Sequence, residues 1–178
     1  MIRMKRLSLI PVTQDLKFGF QLEPGVLAAM IDATLPEGWP QFPQAFMPRD
    51  IEPKEPWCGY VFVETRTRQI VGNGGFVSAP DKDADVEIGY EVAPAFRNYG
   101  YASEAVEALI ELATNNGVRF VFANTLPGAN ASIAVALKAG MEFVDDGYEK
   151  GVGEIWRFRI RCEPDRIPLG HISLRYSA

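Results

Sequence analysis

Apolar residues recur along this chain at two different periods, and the places where the period changes divide it into elements. Residues 7–12 alternate loosely and read as a first strand, ending near Thr13, Gln14 and Asp15. Residues 24–33 place Val26, Leu27, Met30 and Ile31 at helical spacing, with Pro24 acceptable in the first turn. Residues 36–56 are rich in proline, with Trp39, Phe42, Phe46 and Met47 interspersed, and predict a loop or short helix pinned by aromatics. Residues 57–64 form a dense β run, 65–68 a polar turn and 70–77 a returning strand, so the pair predicts an antiparallel hairpin. Asn73-Gly74-Gly75 would loosen or bulge that second strand. Another turn at 80–83 leads into a central strand at 85–92.

The period then switches. Ala102, Ala105, Val106, Leu109, Ile110, Leu112 and Ala113 line one face of a helix over 102–115, with Glu104, Glu107 and Glu111 largely on the other. Asn116-Gly117 stops it. Residues 118–123 are almost continuously apolar and predict a strand buried on both faces. Strand, helix and buried strand make a right-handed crossover, which predicts local parallel pairing. A loop at 124–129 follows. Asn130 or Ser132 caps a second helix through Lys138, with Ile133, Ala136, Leu137 and Gly140 at its core face and end. Residues 141–144 begin a further strand, Asp145-Asp146-Gly147 turn, and 154–160 close the sheet. Beyond Arg161 the signals are weak, and no repeat or second domain interrupts the 178 residues, so 1–178 reads as one α/β domain.

Composition narrows the function more than the fold. Eighteen basic and 23 acidic residues give a net charge of −5, which speaks against nucleic acid as a partner. It is mildly compatible with cationic amines as substrates. Cys58 and Cys162 stand far apart without metal-ligand spacing, so two thiols in a reducing compartment are favoured over a disulfide or a metal site. His171 is the single histidine, in a tail-like stretch, which nearly excludes a histidine-based triad or metal centre. Arg3, Lys5 and Arg6 precede an apolar run too short, and too broken by Ser8 and Pro11, for a signal peptide. No run approaches the roughly 20 apolar residues of a membrane span. A cytoplasmic protein with no membrane partner is expected.

The chemistry gathers where the central strand meets the central helix. The turn Arg97-Asn98-Tyr99-Gly100-Tyr101-Ala102 opens directly into Ser103 and Glu104. The first N–H groups of a helix lack intrahelical acceptors and point outward together, and the helix dipole adds positive charge there. Gly100 permits positive φ and close approach of the backbone, and Arg97 can add a charged fork, so the turn has the makings of a phosphate cradle. A nucleotide P-loop would need Gly-Lys-Ser/Thr and a dinucleotide fold Gly-x-Gly-x-x-Gly; neither is present.

The turn resembles the Arg/Gln-x-x-Gly-x-Gly/Ala loop of the GNAT superfamily of N-acetyltransferases. Glu87-Ile88-Gly89-Tyr90, Val92-Ala93-Pro94 and Gly100 to Ala105 are similar to the branch containing the ribosomal-protein N-terminal acetyltransferases. So are Thr125-Leu126-Pro127, Ser132-Ile133 and Lys138-Ala139-Gly140-Met141, and together the likeness spans about residues 57–160. Ala129 stands at the usual Asn position with Asn130 one place later, and Met141 replaces a Phe. The resemblance implies a mixed, mostly antiparallel twisted sheet flanked by helices, whose central strands splay to admit acetyl-CoA as co-substrate.

It further implies that Arg97, Asn98, Tyr99, Gly100, Tyr101 and Ala102 hold the diphosphate. Tyr90 and Val92 would offer backbone groups to the pantetheine, and Asn130 stands in for the Asn that contacts the coenzyme. Glu87 is either the general base or a carboxylate facing a neighbouring strand or basic group. Ser132 is either the acid for the leaving thiolate or a plain helix cap, since Ala136 occupies the position of the Tyr that many relatives use. The variable segment at 36–56 would wall the acceptor site. The expected reaction is acetyl transfer to a primary amine, a peptide or ribosomal-protein N-terminus or a small amine. The alternative is a non-catalytic coenzyme A-binding or regulatory module. The resemblance also allows a homodimer.

Overall fold

The computed structural model describes residues 1–128 and 130–163; Ala129 and the stretch containing Pro164, Pro168, Gly170 and His171 lie outside it. Eight strands form one sheet in the order β1-β2-β3-β4-β5-β6-β8-β7. They are β1 (Ile2–Arg3), β2 (Leu7–Pro11), β3 (Gly59–Glu64), β4 (Ile70–Phe76), β5 (Asp85–Val92), β6 (Phe120–Thr125), β7 (Glu142–Glu149) and β8 (Gly153–Arg161). Four helices accompany them: α1 (Gln14–Leu22), α2 (Pro24–Met30), α3 (Tyr101–Asn115) and α4 (Ala131–Lys138). Every neighbouring pair is antiparallel except β5 and β6, the two ends of the α3 crossover.

The alternation of β3 explains why its sequence is apolar throughout. Tyr60 and Phe62 enter one core with Leu7, Leu9, Ile88, Val106 and Leu109, the side covered by α3. Val61 and Val63 enter another with Leu16, Phe20, Leu27, Trp39 and Phe46, the side covered by α1, α2 and a 3-10 turn at Pro43–Phe46. A strand buried on both faces has no polar side to show. The second cover stops short of the far half of the sheet. Above β6 and β8 the side chains of Phe120, Phe122, Arg157 and Arg159 remain only half-buried.

Several local expectations need correcting. Strand β6 is not buried on both faces: Val121, Ala123 and Thr125 are buried, whereas Phe120, Phe122 and Asn124 alternate with them on the uncovered side. Asn124 and Thr125 continue the strand instead of beginning the loop. Asp145-Asp146-Gly147 does not turn; β7 runs through it, held by Asp145 opposite Arg157 and Gly147 opposite Ile155. Cross-strand pairing overrode the turn propensity of Asp and Gly there. Helix α1 had no counterpart in the sequence reading. Its signals were Thr13, whose hydroxyl accepts from Leu16 N at 3.3 Å, and the Leu16/Phe20 pair, but Gly19 interrupts the pattern. A Cβ on Gly19 would lie 2.6 Å from Met30 Sδ, so the glycine lets α1 and α2 pack closely.

Asn73-Gly74-Gly75 is not where β4 loosens or bulges. These three residues pair in regular register; the bulge of β4 falls at Val71, skipped between Phe62 opposite Gly72 and Val63 opposite Ile70, and the glycines instead bring backbones together. A Cβ on Gly74 would sit 2.5 Å from Gly89 O and 2.8 Å from Tyr90 Cα. Gly74→Ala is therefore expected to cost about 2–3 kcal/mol, as forced overpacking does. Gly89→Ala, whose Cβ meets nothing within 4 Å, should leave the denaturant midpoint unchanged. Equal midpoints for the two variants in urea titrations would contradict this account.

Candidate active site

Strands β5 and β6 pair in parallel from Asp85 opposite Phe120 to Ile88 opposite Ala123, and there the ladder ends. Both strands go on, β5 to Val92 beside β4 and β6 to Thr125 beside β8. The backbone groups left behind can be identified. Val77 N donates to Glu87 O and Ala93 N to Val71 O, so the odd-numbered residues of β5 bond toward β4. The N–H and C=O groups of Tyr90 and Val92 consequently face the parting with β6. The Val92 carbonyl also accepts from Arg97 Nε at 3.2 Å.

One helix begins at each side of this opening. Before α3, Asn98 (φ 65°) and Gly100 (φ 84°) take the left-handed conformation, and Gly100 is the helix cap. The first helical bond is Glu104 N to Gly100 O at 3.1 Å; the N–H groups of Asn98 through Ser103 donate to no acceptor among the described residues. Six unengaged donors at a helix start have the geometry of an anion cradle. Arg97 is exposed, and its guanidinium also reaches Gln41 Oε1. Tyr99 and Tyr101 stack at 6.3 Å and Phe96 meets Tyr101 edge-on at 6.4 Å, bracing the loop from outside.

On the other side, Asn130 is the cap of α4. Its Oδ1 accepts from Ile133 N at 3.0 Å while Nδ2 donates to Leu126 O and Gly128 O, so both ends of the amide serve its own loop. Ser132 therefore lies inside the first turn and does not cap the helix. Its carbonyl accepts from the Tyr90 hydroxyl at 3.0 Å, which ties α4 to β5, and burial pushes that phenol well above its usual pKa.

Glu87 and Glu91 project from the face of β5 opposite α3. Glu91 is buried and accepts from the N–H groups of Gln41 (3.0 Å) and Phe42 (3.3 Å), while Trp39 Nε1 donates to Asn73 Oδ1 at 2.7 Å. These bonds lay the 36–56 segment across β4 and β5. Trp39 and Phe46 pin it, and Phe42 stays largely exposed beside the open half of the sheet. Glu87 accepts from Asn124 Nδ2 at 3.1 Å. Burial, reinforced by the Glu149 carboxylate and only partly offset by Arg157, raises its pKa. Asn124 is a site residue that the sequence reading missed. It is the first β6 residue past the last parallel pair, and its buried Oδ1 has no partner.

A family model described as an acetyltransferase (GNAT) domain matches residues 13–142. The chain belongs to the GNAT acetyltransferase family. As a GNAT member it is an acetyl-CoA-dependent N-acetyltransferase, and the sheet with four flanking helices is the GNAT fold. No curated protein sequence matches the chain significantly. Among solved structures, it is similar to a candidate ribosomal-protein-serine acetyltransferase from Vibrio cholerae, at 18% identity, TM-score 0.63, covering 90% of this chain and 96% of that one. A GNAT-family acetyltransferase from Bacillus anthracis gives 16%, 0.61, 90% and 97%. The microcin C7 self-immunity acetyltransferase MccE, in complex with acetyl-CoA and AMP, gives 16%, 0.61, 88% and 93%. No helix of the described residues is long and apolar enough to cross a membrane.

GNAT proteins generally bind acetyl-CoA, and the observed features fit such a group: an anion cradle, a parted ladder with free backbone groups, and an orphaned buried acceptor on Asn124. The raised pKa of Glu87 has consequences of opposite sign for stability and turnover. A carboxyl that holds its proton more tightly folded than unfolded loses stability as pH climbs from the usual carboxylate value through the raised one. At pH 7, Glu87→Gln is expected to keep or raise the melting temperature. The same variant should lose about 10²-fold or more in kcat if Glu87 is the base. In the wild type, kcat/KM should rise with pH through a limb above the ordinary glutamate value. A pH–rate profile in which Glu87→Gln keeps both rate and limb would exclude Glu87 as base.

Proposed function

We propose that this enzyme transfers an acetyl group to a primary amine on the uncovered face of β5 and β6, with Glu87 as general base. The observation that carries the reading is the placement of Glu87. It is a half-buried carboxylate of raised pKa on the side opposite α3, joined through Asn124 to the edge of the strand parting. Acetyl-CoA supplies the acetyl group as an activated thioester. The loop from Arg97 to Ala102 would receive its diphosphate, and the backbone of Tyr90 and Val92 its pantetheine arm. An ammonium acceptor would be drawn by Glu87 and Glu149, and Glu87, directly or through a water, takes its proton so that the lone pair becomes available. An N–H near Val92 polarises the thioester carbonyl. Ser132, at the start of α4 with its carbonyl held by Tyr90, would supply the hydroxyl proton to the departing sulfur and regain one from solvent. Asn130, spent on its cap and loop, shapes the approach to the coenzyme rather than donating to it.

A peptide N-terminus is the first acceptor to test. An extended chain would approach over the open half-sheet, and a candidate ribosomal-protein-serine acetyltransferase and a ribosomal-protein-S5-alanine acetyltransferase from Vibrio fischeri share the fold. Small amines come second. Calorimetric titration with acetyl-CoA, followed by thiol release against N-terminal peptides and small amines, is the deciding experiment. Saturable binding with release for peptide N-termini is expected, and Arg97→Ala should weaken binding about ten-fold or more, the size of a lost charge-assisted contact. Binding without release from any amine would favour a non-catalytic coenzyme A module. Release with small amines alone would replace the peptide reading.

A further inference from the structure

The turn between β1 and β2 reaches the far side of the sheet's most reactive loop through a single residue. Arg6 O accepts from Thr65 N at 2.8 Å, which fixes its backbone to the end of β3. Its own N–H and its Nε donate to the two oxygens of Glu104, at 3.0 and 2.7 Å. Nη1 donates to the Tyr99 carbonyl at 2.9 Å, and the guanidinium lies 4.9 Å from the centre of the Tyr101 ring. One arginine thus grips three residues of the cradle at once.

Two physical consequences follow. The Tyr99–Gly100 peptide is trans, so a carbonyl held on Arg6 aims the Gly100 N–H to the opposite side. Without that bond the peptide could turn its carbonyl toward an incoming phosphate, which would repel it. Glu104, in turn, carries a negative charge in the first turn of α3, where it would compete with a bound anion for the positive end of the helix. Arg6 neutralises that carboxylate and occupies both its oxygens. The Glu104 side chain is only 14% exposed, although the sequence places it on the outward face.

We propose that Arg6 is a positioning residue for acetyl-CoA: it holds the Tyr99 carbonyl, the Glu104 carboxylate and the Tyr101 ring so that the N–H groups from Asn98 to Ser103 stay presented to the diphosphate. The inference rests on the reading that this loop receives the diphosphate. Arg6 touches the cradle from outside, so its contribution is preorganisation. Lysine, with a single ammonium, cannot donate to Glu104 and Tyr99 in the same fork.

The test is calorimetric titration of coenzyme A into wild type, Arg6→Ala and Arg6→Lys, together with the amide shift of Gly100 in ¹H–¹⁵N spectra during the same titration. Both variants should bind more weakly, Arg6→Ala by about ten-fold as expected for lost preorganisation. The Gly100 amide should move on coenzyme addition in wild type and move less in Arg6→Ala. A purely architectural residue would lower the melting temperature and leave the Gly100 response intact in the folded protein. If Arg6→Ala does not fold, Arg6→Lys carries the same comparison. Affinity within two-fold of wild type and an unchanged Gly100 response, with wild type binding normally, would overturn the positioning role alone. Failure of wild type to bind coenzyme A would overturn the diphosphate reading and this proposal with it.

Discussion

A parallel ladder that stops while both of its strands continue leaves backbone donors and acceptors facing a gap, and unsatisfied backbone groups are costly when buried. Here β5 and β6 part after Ile88 and Ala123, and Tyr90 and Val92 present their peptide groups to the opening. The parting is kept because each strand has a second partner. Strand β5 stays on β4 through the close approach that Gly72 and Gly74 allow, and β6 stays on β8 as far as Thr125 opposite Trp156. The Asp85–Arg119 ion pair, at 2.9 Å, closes the other end of the two strands.

From that constraint the rest of the site follows. Helix α3 begins where β5 ends and α4 where β6 ends, so both helix starts border the same opening. The Tyr90 hydroxyl bonded to Ser132 O fixes α4 relative to the strand, and Arg6 fixes the turn before α3 relative to the first strands. The two faces of the sheet then divide the labour. Helices α3 and α4 cover one side of the central strands. On the other, α1, α2 and the 36–56 segment cover only β2 to β5, and the half-sheet over β6 and β8 remains available beside Glu87. The segment reaches that border because Glu91 holds the N–H groups of Gln41 and Phe42. Arg97 in turn links Gln41 to the turn before α3, so the 36–56 segment and that turn share a contact.

Periodicity and local turn chemistry were enough for the central unit. The alternation over residues 85–92, the helical face from Ala105 to Ala113, the stop at Asn116-Gly117 and Gly100 at a left-handed helix start are all consequences of short-range sterics and burial. They are written in neighbouring residues, and the cradle was legible for that reason. The parallel pairing of β5 and β6 also followed, because a helix between two strands carries the chain back to the end where the first strand began. What failed was local signal contradicted by distant partners: Asp145-Asp146-Gly147 reads as a turn alone, but it is a strand opposite Ile155 and Arg157.

Other features depended wholly on the tertiary structure. The length of the strand parting is set by what β4 and β8 offer to each side, which no single stretch encodes. Asn124 lay at the end of an apolar run with no mark of function, and only the register that brings it past Ala123 places its amide on Glu87. Arg6, 98 residues from Glu104 in sequence, had no periodicity or motif to connect them. The chain by itself determined which segments would be strand and helix and where an anion could be held. The packed sheet decided which carboxylates are desolvated, which face is open and that Arg6 meets the turn before α3. Those properties come from long-range register and burial, whereas sequence patterns report only near neighbours along the chain.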